Sequence, residues 1–152
     1  MKVSSKLRYA VRAMFDLAFH GEQEPLQIKD ISERESIPQR FLEQIFKDLR
    51  RAELVTSKRG PHGGYQLARE SHAIRLGDVL RAVEGAVQLN APDESFGPGV
   101  DNGSVAVVDR TFRELSSSLE ACFDAITLED LCDRAQTDGV RRATGSGYVY
   151  MI

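Results

Sequence analysis

The chain has 152 residues, 41% hydrophobic and 28% charged, which is the balance of a globular protein with one core and one appended element. No apolar run approaches the roughly 20 residues that span a bilayer, and no apolar signal-peptide core follows Met1, so a cytoplasmic protein is expected. The net charge of −3 hides an asymmetry: residues 1–69 hold 13 Lys and Arg against 9 Asp and Glu, a balance of +4, whereas residues 70–152 hold 7 against 14, a balance of −7.

A basic half joined to an acidic half fits a nucleic-acid reader better than a uniformly charged enzyme. Residues 5–19 (SKLRYAVRAMFDLAF) put Leu7, Ala10, Val11, Met14, Leu17 and Ala18 on one helical face, and the polar run His20 to Pro25 ends that helix. Leu26 to Glu35 is expected as a second helix, anchored by Ile28 and Ile31, and Ser36-Ile37-Pro38 makes a tight turn. Pro38 suits the first turn of the next helix, where its missing N–H would be unpaired anyway. That third helix runs to about Arg51. Phe41, Leu42, Ile45, Phe46 and Leu49 repeat at helical spacing as a buried stripe, leaving Gln39, Arg40, Glu43, Gln44, Lys47 and Arg50 as a polar face.

Leu54-Val55-Thr56 and Tyr65-Gln66-Leu67 are two strand-like runs around Ser57-Lys58-Arg59-Gly60-Pro61-His62-Gly63-Gly64, whose glycines and proline mark a turn. A helix-turn-helix followed by a cationic hairpin reads as a winged helix-turn-helix. The fold class is therefore mainly α with a small β-hairpin wing. Ile74 to Val83 is a further short helix stopped at Gly85, and Ala86 to Gly103 reads as a mobile loop.

Beyond it, Val105, Val108, Phe112, Leu115, Leu119, Cys122 and Ile126 alternate at spacings of three and four, a heptad seam on one long helix. Such a stripe packs along another helix, either its own domain or a twofold mate, and a symmetric dimer on a palindromic site is the favoured expectation. Thr127-Leu128-Glu129-Asp130 opens a last short helix to about Arg134. The resulting division is residues 1–85 for DNA reading, 86–103 as loop, 104–135 for dimerisation and capping, and 136–152 as a flexible tail.

The stretches SKLRYAVRAM, DISERESIPQRFLEQIFKDLRRAELVTSKRGPHGGYQL and IRLGDVLRAVEG closely resemble the bacterial Rrf-two family of transcription regulators. That family includes an iron–sulfur cluster regulator, a nitric-oxide-sensing repressor and a cysteine metabolism repressor. The resemblance covers residues 1–85 strongly and the heptad helix more loosely; the LEQ of the third helix and the RGxxGGY of the wing are its specific parts. It implies a winged helix with a long dimerisation helix. It also implies Gln39, Arg40, Phe41, Glu43 and Gln44 at the major groove, Arg59 beside Gly60 in the minor groove, and Gly63, Gly64 and Tyr65 shaping the wing. Lys47 and Lys58 complete the candidate DNA-binding set as cations on the same helix face and hairpin.

Two departures bear on the operator. Ser36 and Pro38 stand where relatives often have glycine and serine, and Arg40 and Phe41 replace smaller or hydroxylated residues of some relatives. Cluster-sensing members carry three cysteines in the loop after the fourth helix, sometimes helped by an acidic residue or histidine in the first helix. Here the loop 86–103 has neither cysteine nor histidine, and position 8 is Arg8, so no cofactor and no metal are expected. Both cysteines, Cys122 and Cys132, are expected as small buried apolar residues. In that respect, and in the Tyr150-Met151-Ile152 end, the chain is most similar to the cluster-free cysteine metabolism repressor. This likeness implies control of sulfur and cysteine metabolism and docking of the tail into cysteine synthase, unless the tail packs back on the dimer.

Glu43 either accepts from a cytosine N4 or pairs with Arg40 or Lys47 along its helix. No enzyme is expected. His20, His62 and His72 lie in separate segments, and no nucleophile elbow or phosphate loop is present. The alternatives to a cluster-free repressor are a redox- or metal-responsive regulator using Cys122 or Cys132, and a protein-interaction module on the same scaffold.

Overall fold

The computed structural model describes residues 2–22, 24–89, 98–99 and 101–143. In chain order these form α1 (Ser5–His20), α2 (Ile28–Glu35), α3 (Gln39–Arg51), β1 (Val55–Lys58), β2 (Gly64–Leu67), α4 (Leu76–Glu84), α5 (Asn102–Asp124) and α6 (Leu128–Thr137), with a 3-10 turn at Ser71–Ala73. Most of the loop expected over 86–103 and the tail from 144 lie outside the described residues.

Helix α1 runs through the middle and packs on α2, α3, α4 and α6. Its start is fixed by Ser4, whose hydroxyl accepts the Leu7 N–H at 3.0 Å. Leu7, Ala10, Ala13, Met14, Leu17, Ala18 and Phe19 are buried, whereas Val11, expected on the inner face, is only half-buried. With neighbours on several sides, the buried surface of α1 is wider than one stripe, and it takes in Asp16. That carboxylate is fully buried and receives both arms of the Arg34 fork at 2.9 and 2.8 Å. A buried carboxylate costs several kcal/mol unless paired and hydrogen-bonded, so this fork makes the α1–α2 angle obligatory.

The second helix starts at Ile28, two residues later than expected. Leu26 is instead drawn into an antiparallel bridge with Tyr65: Leu26 N–H donates to the Tyr65 carbonyl at 2.9 Å, and Tyr65 N–H returns at 2.8 Å. Pro38 caps α3 from outside its first turn, with φ −56°.

Both ends that frame the helix-turn-helix close alike. Ser36 (φ 52°) and Glu53 (φ 58°) adopt the left-handed conformation just past α2 and α3. Ile37 N–H then reaches back to the Ser32 carbonyl, and Leu54 N–H to the Leu49 carbonyl at 3.0 Å. The apolar residue after each reversal, Ile37 or Leu54, is buried, so the reversals are fixed by core packing despite their conformational cost.

Helix α4 begins at Leu76, later than Ile74. Ile74 and Leu76 pair instead with the segment ahead of α6: Leu76 N–H donates to Ile126 at 2.8 Å, and Leu128 N–H to Ile74 at 3.0 Å. Ile126 therefore falls outside the long helix, which ends at Asp124, and packs against the core. The heptad spacing overran by one turn because Ala125 and Ile126 must leave the helix for Thr127 to cap α6.

Helix α5 packs on α4 but buries little along its own length. Ser116 is its only buried residue, and Val108, Phe112, Leu115 and Cys122 are exposed, with Val105 and Leu119 intermediate. Cys122 is thus corrected from buried to exposed in the single chain; Cys132 is buried. The root of α5 is clamped by Arg81 of α4, which donates to Asp124 at 2.7 Å. Gly77 makes room for that pair, since a Cβ there would lie 1.7 Å from Asp124 Oδ1. Val87 and Leu89 N–H groups donate to Glu120 (2.8 Å) and Ser116 (3.0 Å), tying the segment after α4 to the same helix. Among the described residues no helix is long and apolar enough to cross a membrane.

Candidate nucleic-acid interface

Helix α3 is sharply two-sided. Leu42, Ile45, Phe46 and Leu49 are at most 2% exposed, and Gln39, Arg40, Phe41, Glu43, Gln44, Lys47 and Arg50 face out. The inner face presses on α1, α2 and α4, which holds the helix rigid and leaves the outer face free to enter a groove. Asp48 sits at the margin, nearly buried, and receives Lys6 of α1 at 2.7 Å, which pins the helix to its support.

The spacing placed Phe41 in the buried stripe, whereas the family resemblance placed it at the groove. In the structure it is 46% exposed, so the stripe begins at Leu42. Phe41 lies at the edge of the apolar arc, and what flanks it is polar-tipped: the Arg40 guanidinium stands over its ring at 5.1 Å, and the Tyr9 ring is 6.4 Å away at 51°. Tyr9 and Arg12 of α1, missed in the sequence, thus border the outer face of α3, Arg12 lying 6.0 Å from the Tyr9 ring. Only the α1–α3 crossing brings them there.

Among the described residues neither Arg40 nor Lys47 forms an ion pair with Glu43. The intrahelical pairing considered for Glu43 is therefore not made, and its carboxylate faces outward as an acceptor.

The wing is locked to α3 by a stack of Phe46 on Tyr65, with centroids 4.4 Å apart and planes 28° off parallel. Strands β1 and β2 pair Val55 with Leu67 and Lys58 with Gly64, so Arg59 to Gly63 form the tip; Lys58 at the end of β1 is exposed, as are Arg59 and Gly60. Gly63 and Gly64 are there for space. A Cβ on Gly63 would lie 2.2 Å from the Lys58 carbonyl oxygen, and one on Gly64 (φ 149°) 2.4 Å from that of Leu26. Lys58, Arg59 and Gly60 therefore share one rigid unit with the α3 residues although 8 to 21 positions separate them.

The model of the Rrf2 family, described as "Iron-dependent Transcriptional regulator", matches residues 3–134. The chain belongs to the Rrf2 family. It is 43% identical over 132 residues to the HTH-type transcriptional regulator IscR of Vibrio campbellii, covering 86% of this chain and 77% of that one. It is 39% identical over 142 residues to the putative HTH-type transcriptional regulator ORF2 of Azotobacter vinelandii, covering 93% and 85%. Among solved structures, T. potens IscR aligns with TM-score 0.73 at 37% identity, covering 93% of both chains. CymR, the global cysteine regulator of B. subtilis, aligns with TM-score 0.68 at 34% identity, covering 88% of this chain and 98% of that one. This Rrf2 protein is accordingly a DNA-binding transcription regulator with a winged-helix fold, not an enzyme.

The family description raises iron, and the donors present do not fit an iron–sulfur cluster. A cluster needs about four thiolate or equivalent ligands. The whole sequence has two cysteines, and the loop 86–103 has no cysteine or histidine. Among the described residues no three His, Cys, Asp or Glu side chains gather as a metal site. Cys132 is buried, and burial pushes its thiol above the ordinary range. The tail residues Tyr150, Met151 and Ile152 lie outside the described residues.

Proposed function

We propose that this Rrf2 protein is a homodimeric, sequence-specific DNA-binding repressor that works without an iron–sulfur cluster. The observation that carries the reading is the rigid pairing of the outward face of α3 with the cationic wing tip through the Phe46–Tyr65 stack. In this reading α3 enters the major groove. Gln44 suits a bidentate contact to adenine N6 and N7, and Glu43 suits acceptance from cytosine N4–H. Gln39 and Arg40 flank them, and Lys47 and Lys58 neutralise phosphates. Arg59 enters the minor groove, where a guanidinium senses width and potential; Gly60, with φ 111°, lets the backbone follow it.

Dimerisation through α5 is supported by a row of exposed apolar residues, Val108, Phe112 and Leu115, on a helix that buries almost nothing in its own chain. Val105, Leu119 and Cys122 extend that row. Residues 1–85 then read DNA, and the dimerisation part begins at α5. A cytoplasmic location goes with that target. The likeness to B. subtilis CymR and the missing cluster ligands favour sulfur and cysteine metabolism as the regulated set.

The test is to select duplexes from a random-sequence pool with the purified protein and to footprint the winners. Two symmetric half-sites bound by a colourless dimer are expected. Sequence-indifferent binding, or a brown protein that binds only when loaded with iron and sulfide, would overturn the reading. Docking of Ile152 into cysteine synthase belongs to the same proposal. It is checked by adding that enzyme to the intact chain and to one lacking Ile152, and binding that is absent or unaffected by the deletion defeats it.

A further inference from the structure

Phe41 is the one large apolar side chain on the outward face of α3, and its exposure has no explanation within the fold. Its neighbours Leu42, Ile45, Phe46 and Leu49 show that the helix buries apolar residues wherever its inner face allows. Arg40 lies over it at 5.1 Å and Tyr9 borders it at 6.4 Å, and the rest of the ring is open on the outward face of the helix. A phenyl ring has two side-chain torsions, so it presents a large apolar area at a modest entropic cost.

We propose that Phe41 is a specificity-determining residue that reads the 5-methyl group of a thymine in each half-site. The inference rests on the reading of α3 as the major-groove helix and adds the chemistry of one contact. Of the four bases, only thymine places an apolar group in the major groove. The other base edges present hydrogen-bonding groups there. Against a phenyl ring these would lose water and gain no partner, which is unfavourable. Phe41 therefore accepts thymine and penalises the rest.

Position supports the same assignment. Phe41 and Gln44 are three residues apart on one helix, so their Cβ atoms are roughly 5–6 Å apart on the same side. Successive bases on a strand are about 3.4 Å apart along the axis. The thymine read by Phe41 thus falls within about two base pairs of the adenine read by Gln44. Arg40 lies over the ring, and its guanidinium remains available to a phosphate or a guanine at the edge of the same contact.

The experiment uses the full-length protein and duplexes it selects from a random pool. Each thymine of one half-site is replaced singly by deoxyuridine, which deletes only the methyl group, and affinity is measured by fluorescence anisotropy. One position is expected to lose about three- to fivefold, the size of one methyl group withdrawn from water. The loss should vanish in Phe41→Ala, so that the protein change and the methyl deletion are non-additive. Phe41→Gln, which keeps a good helix former and removes the ring, serves as the second variant and should give the same non-additivity.

Equal binding of every uracil-substituted duplex by the unmodified chain overturns the proposal without reference to any variant. A uracil penalty of the same size in both Phe41 variants also overturns it, since another group then reads the methyl. Failure of the protein to select any sequence would sink the reading of α3 itself, which is a different result from selecting a sequence whose thymine methyls are not felt.

Discussion

Leu115 on α5 is 47% exposed, Phe112 is 41% and Val108 is 51%, and all three face the same side. Fully burying a leucine contributes about 1.5–3 kcal/mol, so covering the open half of Leu115 is worth about 0.7–1.5 kcal/mol per protomer. A twofold seam repeats the contact. Leu115→Ala is therefore expected to weaken the dimer by about 1.5–3 kcal/mol, roughly 10- to 150-fold in dissociation constant. Leu115→Glu should go further, because it places a carboxylate in an apolar seam. Neither change opens a hole in the chain's own core, since Ser116 is the only residue α5 buries there. The monomer should keep its helical signal and its melting temperature within a few degrees. Sedimentation velocity over a concentration series gives the dimer constant, and anisotropy on a two-half-site duplex gives the consequence for DNA. A dimer constant unmoved by both substitutions would refute the assignment of α5 as the seam.

Arg59→Ala should weaken operator binding in moderate salt and relax the preference for A·T pairs beside the major-groove contacts; unchanged anisotropy isotherms would remove the main support for the wing. Lys47→Ala should weaken all sequences alike and reduce the slope of log affinity against log salt by about one ion, which a titration at several salt concentrations checks. Gly64→Ala forces a Cβ to within 2.4 Å of the Leu26 carbonyl oxygen and opens the two-bond Leu26–Tyr65 bridge. A loss of about 2–4 kcal/mol, or roughly 5–15 °C in Tm, is expected by calorimetry. His20 provides a pH dependence. Burial, ahead of the opposing pull of Asp16, holds its imidazole below the ordinary 6.5, with Arg34 and Arg142 acting in the same direction as burial. Its Nδ1 accepts the Ala143 N–H at 2.8 Å, which requires that nitrogen unprotonated. The folded state therefore binds the proton less readily than the unfolded chain. The contribution is fully present above about pH 6.5 and is lost as pH falls through the lower folded value. Denaturant titrations from pH 7.5 to 5 should show this loss, and His20→Gln should flatten it.

The helix-turn-helix and its wing were legible because both rest on local rules. The 3.6-residue repeat of Leu42, Ile45, Phe46 and Leu49 separates the inner from the outer face of α3 whatever surrounds it, and Arg59 to Gly64 carry turn chemistry in their own residues. The lack of cluster ligands was likewise a matter of counting cysteines. Tertiary structure decided what periodicity leaves open. Spacing gives the direction in which Phe41 points but not whether a neighbour covers the edge of the arc, and α1 crosses so that Tyr9 borders the ring and leaves it 46% exposed. Leu26 has a helix-compatible sequence, yet Tyr65, remote in the chain, offers it two backbone hydrogen bonds, so a non-local bridge sets the start of α2. Ile126 continues the heptad spacing of α5 but is diverted into the bridge that joins α4 to α6. The burial of Asp16 was hidden for the same reason. A carboxylate is placed in a core only when a partner arrives from another element, and the arrival of Arg34 is a property of how α1 and α2 cross.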